Sequence, residues 1–192
     1  MPRLRWMMLV IACSGALQCH AQWAVQEWVT TPLHDEARVD LPYEAKPVTL
    51  PHQPPGLKIL ETTTADADFM VMSLDRRYFP GYRPQSRITP KALSRFFDKQ
   101  SRQYGRRVFH GRLLEQANVV FVNSPARAVV YEGFDYDHQQ PTRIETVWVW
   151  RVHALYLFAC VYRLPEQAGV AAGRNKFFAS VRFDQPLPPT EL

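Results

Sequence analysis

The side chains in this 192-residue chain with metal-ligating or acid–base chemistry are few and scattered. Histidine stands beside carboxylates in only two places, His34-Asp35-Glu36 and Asp135-x-Asp137-His138. The second cluster would make a metal or hydrolytic site if the fold brought a further ligand, such as His110 or His153, within reach. Asp66 and Asp68 form another acidic pair, but no neighbouring ligands have the spacing of a calcium loop, and turn aspartates commonly bond their own backbone. After removal of a leader, Cys160 would be the one remaining thiol, so no intramolecular disulfide forms. Its neighbours Phe158 and Tyr162 on the same strand face predict a small buried hydrophobe rather than a nucleophile. Gly-x-Ser-x-Gly, His-Glu-x-x-His, Cys-x-x-Cys and phosphate-cradling glycine loops are all missing from the sequence. No cofactor is implied.

Charge provides two binding surfaces. Arg76, Arg77, Tyr82, Arg83 and Arg87 fall in a long stretch with Gly81 and three prolines, a structured loop rather than a repeating element. Its guanidiniums and rings suit an acidic partner. Immediately after it, Lys91, Arg95, Lys99 and Arg102 recur at helical spacing, a basic stripe for acidic lipid headgroups or an acidic protein, or simply a solvated outer face. The partner expected is an unknown envelope protein or an anionic surface.

The elements that must position these groups are legible from periodicity. Thr142 to His153 and Leu155 to Leu164 are the longest apolar-aromatic runs and predict consecutive antiparallel strands joined by a tight turn. The second run is apolar on both sides, so it belongs inside the sheet. Leu57 to Thr64 and Phe69 to Leu74 predict a hairpin with Ala65 to Asp68 as its connection. Ala37 to Leu41, closed by Pro42, predicts a short edge strand. Val108 to Val122 predicts one or two strands interrupted near Glu115 to Asn118, and Ala126 to Phe134 another. Thr89-Pro90 opens the clearest helix, with Leu93, Phe96, Phe97 and Tyr104 on its inner face and Gly105 as its stop. Phe177, Phe178, Val181 and Phe183 predict a second helix within Glu166 to Phe183. Charges on the sheet, Arg143 with Glu145 or Arg151 with Glu132, predict cross-strand ion pairs.

Composition bounds the function. Hydrophobic residues at 46% and charged residues at 21% are globular values, and the length suits one domain. Residues 1–21 carry the three parts of an export signal, with Arg3 and Arg5, the apolar stretch Trp6 to Leu17, and Cys19 and Ala21 around a cleavage point. Cleavage after Ala21 leaves a single α+β domain at 22–185 and a frayed tail at 186–192. A second possibility is the lipobox-like Val10-Ile11-Ala12-Cys13, with lipidation at Cys13. The apolar stretch is too short to span a bilayer, so no transmembrane helix is expected once the signal is removed. The formal charge of +5 falls by two with the signal, a mild basic bias that is no nucleic-acid footprint.

From Asn118 onward the order of features resembles the PsbP-like and DcrB-like group of extracytoplasmic α/β proteins. The residues that carry the likeness are Ser124-Pro125-Ala126-Arg127 after a strand, the paired strands Arg143 to His153 and Leu155 to Tyr162, and Asn175-Lys176-Phe177-Phe178-Ala179-Ser180-Val181. The first half contributes a short strand ending at Pro42, a Lys46-Pro47 turn and the helix from Pro90 to Tyr104. The resemblance implies an antiparallel sheet covered by helices on both faces, an α/β/α sandwich. It also implies a secreted or lipid-anchored accessory or binding role in the periplasm or cell envelope, with no shared catalytic site to carry over. An exported, non-enzymatic binding or accessory protein is therefore expected. The alternatives are an envelope hydrolase or metal-dependent enzyme using Asp135, Asp137 and His138, and a carrier of a small apolar ligand.

Overall fold

A computed structural model describes residues 27–33, 37–78, 89–107, 111–136, 138–151 and 153–184. The leader, Cys13, Tyr82, Arg83, Arg87, His110, Asp137 and the tail lie outside these residues. The chain is mostly antiparallel sheet with two helices, in the order β1 (Val29–Pro32), β2 (Ala37–Leu41), β3 (Lys46–Pro47), β4 (Leu57–Thr63), β5 (Ala67–Asp75), α1 (Pro90–Arg107), β6 (Arg112–Phe121), β7 (Ser124–Asp135), β8 (Gln140–Trp150), β9 (Ala154–Arg163), α2 (Ala168–Ser180) and β10 (Arg182–Phe183). Seven strands make one sheet in the order β3-β4-β5-β9-β8-β7-β6, and β1-β2-β10 make a small second one.

The two longest apolar runs are β8 and β9, paired antiparallel from Thr142↔Arg163 to Trp150↔Leu155. β9 lies between β5 and β8, and every residue from Ala154 to Cys160 is buried. Alternation divides its contacts. Leu155 and Leu157 share an apolar cluster with Ile59, Met72, Trp148 and the Leu93 and Phe97 side chains of α1. Tyr156, Phe158, Cys160 and Tyr162 join Val39, Leu41, and the Val170 and Phe177 side chains of α2. Burial pushes the Cys160 thiol up, as expected of an inert core cysteine.

Four local expectations are corrected. Ala37–Leu41 is the middle strand of the small sheet, with Ala37, Val39 and Leu41 buried, because β1 and β10 flank it. The break expected near Glu115 to Asn118 is instead a bulge at Leu114 within one continuous β6. Gly105 does not end α1. It lies inside the helix, where a Cβ would overlap the Tyr131 ring, and the Tyr131 hydroxyl donates to the Ser101 carbonyl at 2.8 Å. Finally, the ion pairs run elsewhere. Glu145 accepts from Arg174 at 2.7 Å, Glu132 pairs with Arg112, and Arg151 is buried and donates to the Ser124 hydroxyl at 3.1 Å.

Candidate functional site

Helix α1 starts where the sequence says it should. The Thr89 hydroxyl accepts from the Ala92 amide at 3.2 Å and the Thr89 carbonyl accepts from the Leu93 amide at 2.9 Å, with Pro90 as the first helical residue. The helix lies over β6 and β7. Phe96 meets the Trp150 ring edge-on at 5.1 Å and Tyr104 meets Trp148 at 4.7 Å. Asp98, the helix's one carboxylate, is turned onto Arg127 at 2.8 Å, and that guanidinium also donates to the Ser94 carbonyl and hydroxyl. Anchoring thus consumes the acidic residue and fixes the rotation of the helix about its axis. Lys91, Arg95, Lys99 and Arg102 are left exposed in a row of about 16 Å at 1.5 Å per residue. None of the four makes an ion pair or hydrogen bond among the described residues. The row is a cationic strip whose one acidic neighbour on the helix, Asp98, is bound to Arg127.

The loop residues before it divide differently. Arg76 is buried, with its guanidinium 4.4 Å over the Trp150 ring and donating to the Arg151 carbonyl at 3.0 Å. It stabilises the core end of β8. Arg77 is exposed but held by both Asp75 oxygens, at 2.5 and 3.1 Å among its contacts.

The Asp135–His138 pair is a closed local network. Asp135 Oδ1 accepts from the His138 backbone amide at 3.0 Å, and Oδ2 contacts His138 Nδ1 at 2.8 Å and accepts from Arg163 Nε at 3.0 Å. The backbone amide first, and then Arg163, hold the Asp135 carboxyl well below the usual carboxylate range. Its oxygens are already spoken for. His153 sits in the turn after β8, whereas Asp135 lies near the start of that eleven-residue strand, so roughly 33 Å of extended chain separates the two ends. Among the described residues no group of three or more His, Cys, Asp or Glu side chains could hold a metal ion.

Beside this network is a half-open cleft of about 320 Å³. Its walls are Glu61 and Asp68 from the β4–β5 hairpin, Asp66 from the connecting turn, and Asp135 with Arg163, over a floor of Met70, Ile144 and Val161. Partial burial, then the nearby Asp68 charge, raise the Glu61 carboxyl. The sequence pattern held a signal for this residue. Glu61 follows Leu57 and Ile59 on the same strand face, an acid at a position where the alternation calls for an apolar side chain.

No protein-family model matches the sequence, and no curated protein matches it. Solved structures do match the fold. Cyanobacterial PsbP from Synechocystis sp. PCC 6803 aligns over 88% of this chain and 99% of its own at a TM-score of 0.52 and 10% identity. A protein of unknown function from Pseudomonas aeruginosa described as a putative regulator aligns over 84% and 97% (TM-score 0.46, 10% identity). LpqN from Mycobacterium tuberculosis, described as involved in cell envelope biogenesis, aligns over 87% and 88% (TM-score 0.41, 10% identity). At such identity the likeness concerns backbone arrangement alone, and in that sense the chain has a PsbP-like fold.

Proposed function

We propose that this chain is an exported, non-enzymatic binding or accessory protein of the bacterial cell envelope that meets an anionic partner through the outer side of α1. The observation that carries the reading is the row Lys91, Arg95, Lys99 and Arg102, exposed and making no ion pair or hydrogen bond among the described residues. Four like charges on one helix side repel one another, and an anionic surface relieves that repulsion. The same reading takes α1 and α2 as covers on opposite faces of the seven-stranded sheet, which the division of apolar contacts along β9 supports. Export rests on residues 1–21, and the mass of the mature N-terminus distinguishes cleavage after Ala21 from lipidation at Cys13. No helix among the described residues is long and apolar enough to cross a membrane.

Replacing Lys91, Arg95 and Lys99 together by Ser tests the surface. Each basic residue near an anionic membrane contributes about 1 kcal/mol, so vesicles containing anionic phospholipid should retain the triple variant on the order of 100-fold more weakly at low salt. Added salt should erase the difference. Equal retention of the two proteins removes α1 as the contact surface.

A further inference from the structure

Among the described residues most sheet edges are guarded and one is left open. At one margin of the large sheet, β3 is two residues long and consists of a lysine and a proline, Lys46–Pro47. In the small sheet β1 has four residues and ends in Pro32, and β10 has two. Short strands, proline and lysine are the usual means of keeping edges from pairing with other chains. The opposite margin of the large sheet is β6, ten residues long, whose one bonded strand among the described residues is β7. Its half from Gln116 to Phe121 contains no charge and no proline. Val120 there is 78% exposed.

The hairpin geometry says which backbone groups are on offer. Val122 and Asn123, both at positive φ, form a two-residue turn, and Phe121 faces Ser124 across it. Residues flanking such a turn exchange hydrogen bonds, as does every second pair beyond them, so Phe121, Val119 and Ala117 direct their amides and carbonyls to β7. Val120, Asn118 and Gln116 direct theirs away from the sheet.

We infer that this edge pairs with the same edge of a second copy of the chain, antiparallel, about a twofold axis at Val119. In that register Asn118 of each copy faces Val120 of the other and supplies the outward hydrogen bonds. Val119 faces Val119, and Ala117 faces Phe121. Apolar side chains then meet apolar side chains on the side where Val119 and Phe121 already pack against the core. Moving the axis by one residue to Asn118 would set Glu115 opposite Phe121, which disfavours that alternative. The contact is isologous and closes after two copies, joining two seven-stranded sheets into one. Because α1 lies over β6 and β7, it also brings the two cationic rows near each other.

Two variants test the pairing independently of any anionic partner. Asn118→Pro removes an outward amide without breaking a bond to β7, so circular dichroism should be unchanged. Sedimentation should show a dimer for the parent chain and half that mass for the variant. Second, Val119→Cys, with Cys13→Ser and Cys19→Ser, sets two thiols at a non-hydrogen-bonded self-pair, where Cα atoms lie about 4.5 Å apart, within disulfide range. It should cross-link on oxidation far faster than Val120→Cys in the same background, although Val120 is the more exposed. A monomeric parent chain overturns the inference. So does faster cross-linking through position 120, which would mean random collision or another occupant of the edge.

Discussion

Glu61 shows how a single residue reports its surroundings. It continues the inward face of β4 past Leu57 and Ile59 into a cleft where Asp68 stands across the hairpin. Desolvation and that charge raise its carboxyl above the unfolded value, so ionisation costs the folded state stability at neutral pH and costs nothing once acid protonates the group. Glu61→Gln should therefore raise the melting temperature at pH 7, with the gap closing below about pH 4, near the unperturbed carboxyl value. Thermal melts across that range check it, and a gap that widened in acid would reverse the assignment. Asp135 is the opposite case, since its bonds to the His138 amide and Arg163 favour the ionised form. Its carboxylate is thus tied to its own loop and to Arg163.

At the scale of the element, α1 is held by its inner contacts, and the binding surface proposed for it is what those contacts leave over. Gly105 permits the closest of them. Alanine at this position gains up to about 1 kcal/mol of helix propensity, but its methyl group collides with the fully buried Tyr131 ring, and overpacking costs about 1–3 kcal/mol. Gly105→Ala should destabilise the fold by a net of up to about 2 kcal/mol, seen as a lower urea midpoint with an unchanged slope. An increase would mean that the ring moves aside freely. Helix α2 is fastened through both its apolar and polar sides. Phe177 is buried against Phe69 and Phe158, Ser180 accepts from the Asp40 amide at 2.9 Å, and Arg174 bridges Glu145 and Glu166.

Across the whole molecule, stability should fall from the centre of the large sheet outward. β9 has a partner on each side and buried residues on both faces, whereas β3 is two exposed residues with one partner. Amide hydrogen exchange should be slowest along Tyr156 to Cys160 and fastest at Lys46. Comparable protection at both would contradict the interior position of β9. The same gradient from buried centre to margin makes β6 notable, because it is long yet has no strand on its outer side among the described residues.

The sequence by itself determined β4, β5, β7, β8 and β9, the first helix and the burial of Cys160, because each depends on periodicity or on a local cap: the double-sided apolar run of β9, the alternation of β4, and Thr89-Pro90 ahead of α1. By contrast, β3 at Lys46–Pro47 reads as a turn and Phe183 of β10 as part of the second helix. It also contained the cationic row, since helical spacing alone aligns Lys91, Arg95, Lys99 and Arg102. Tertiary structure decided which charges remained available. Arg76, grouped with the surface arginines by composition, is buried over Trp150 because the chain turns inward after β5, and Asp98 is taken by Arg127 from a strand 29 residues away. It also decided that Ala37–Leu41 has neighbours on both sides, that Gly105 receives a ring, and that Glu61, Asp68, Asp135 and Arg163 share one cleft. Such facts depend on which distant segments meet, and spacing along the chain does not record that.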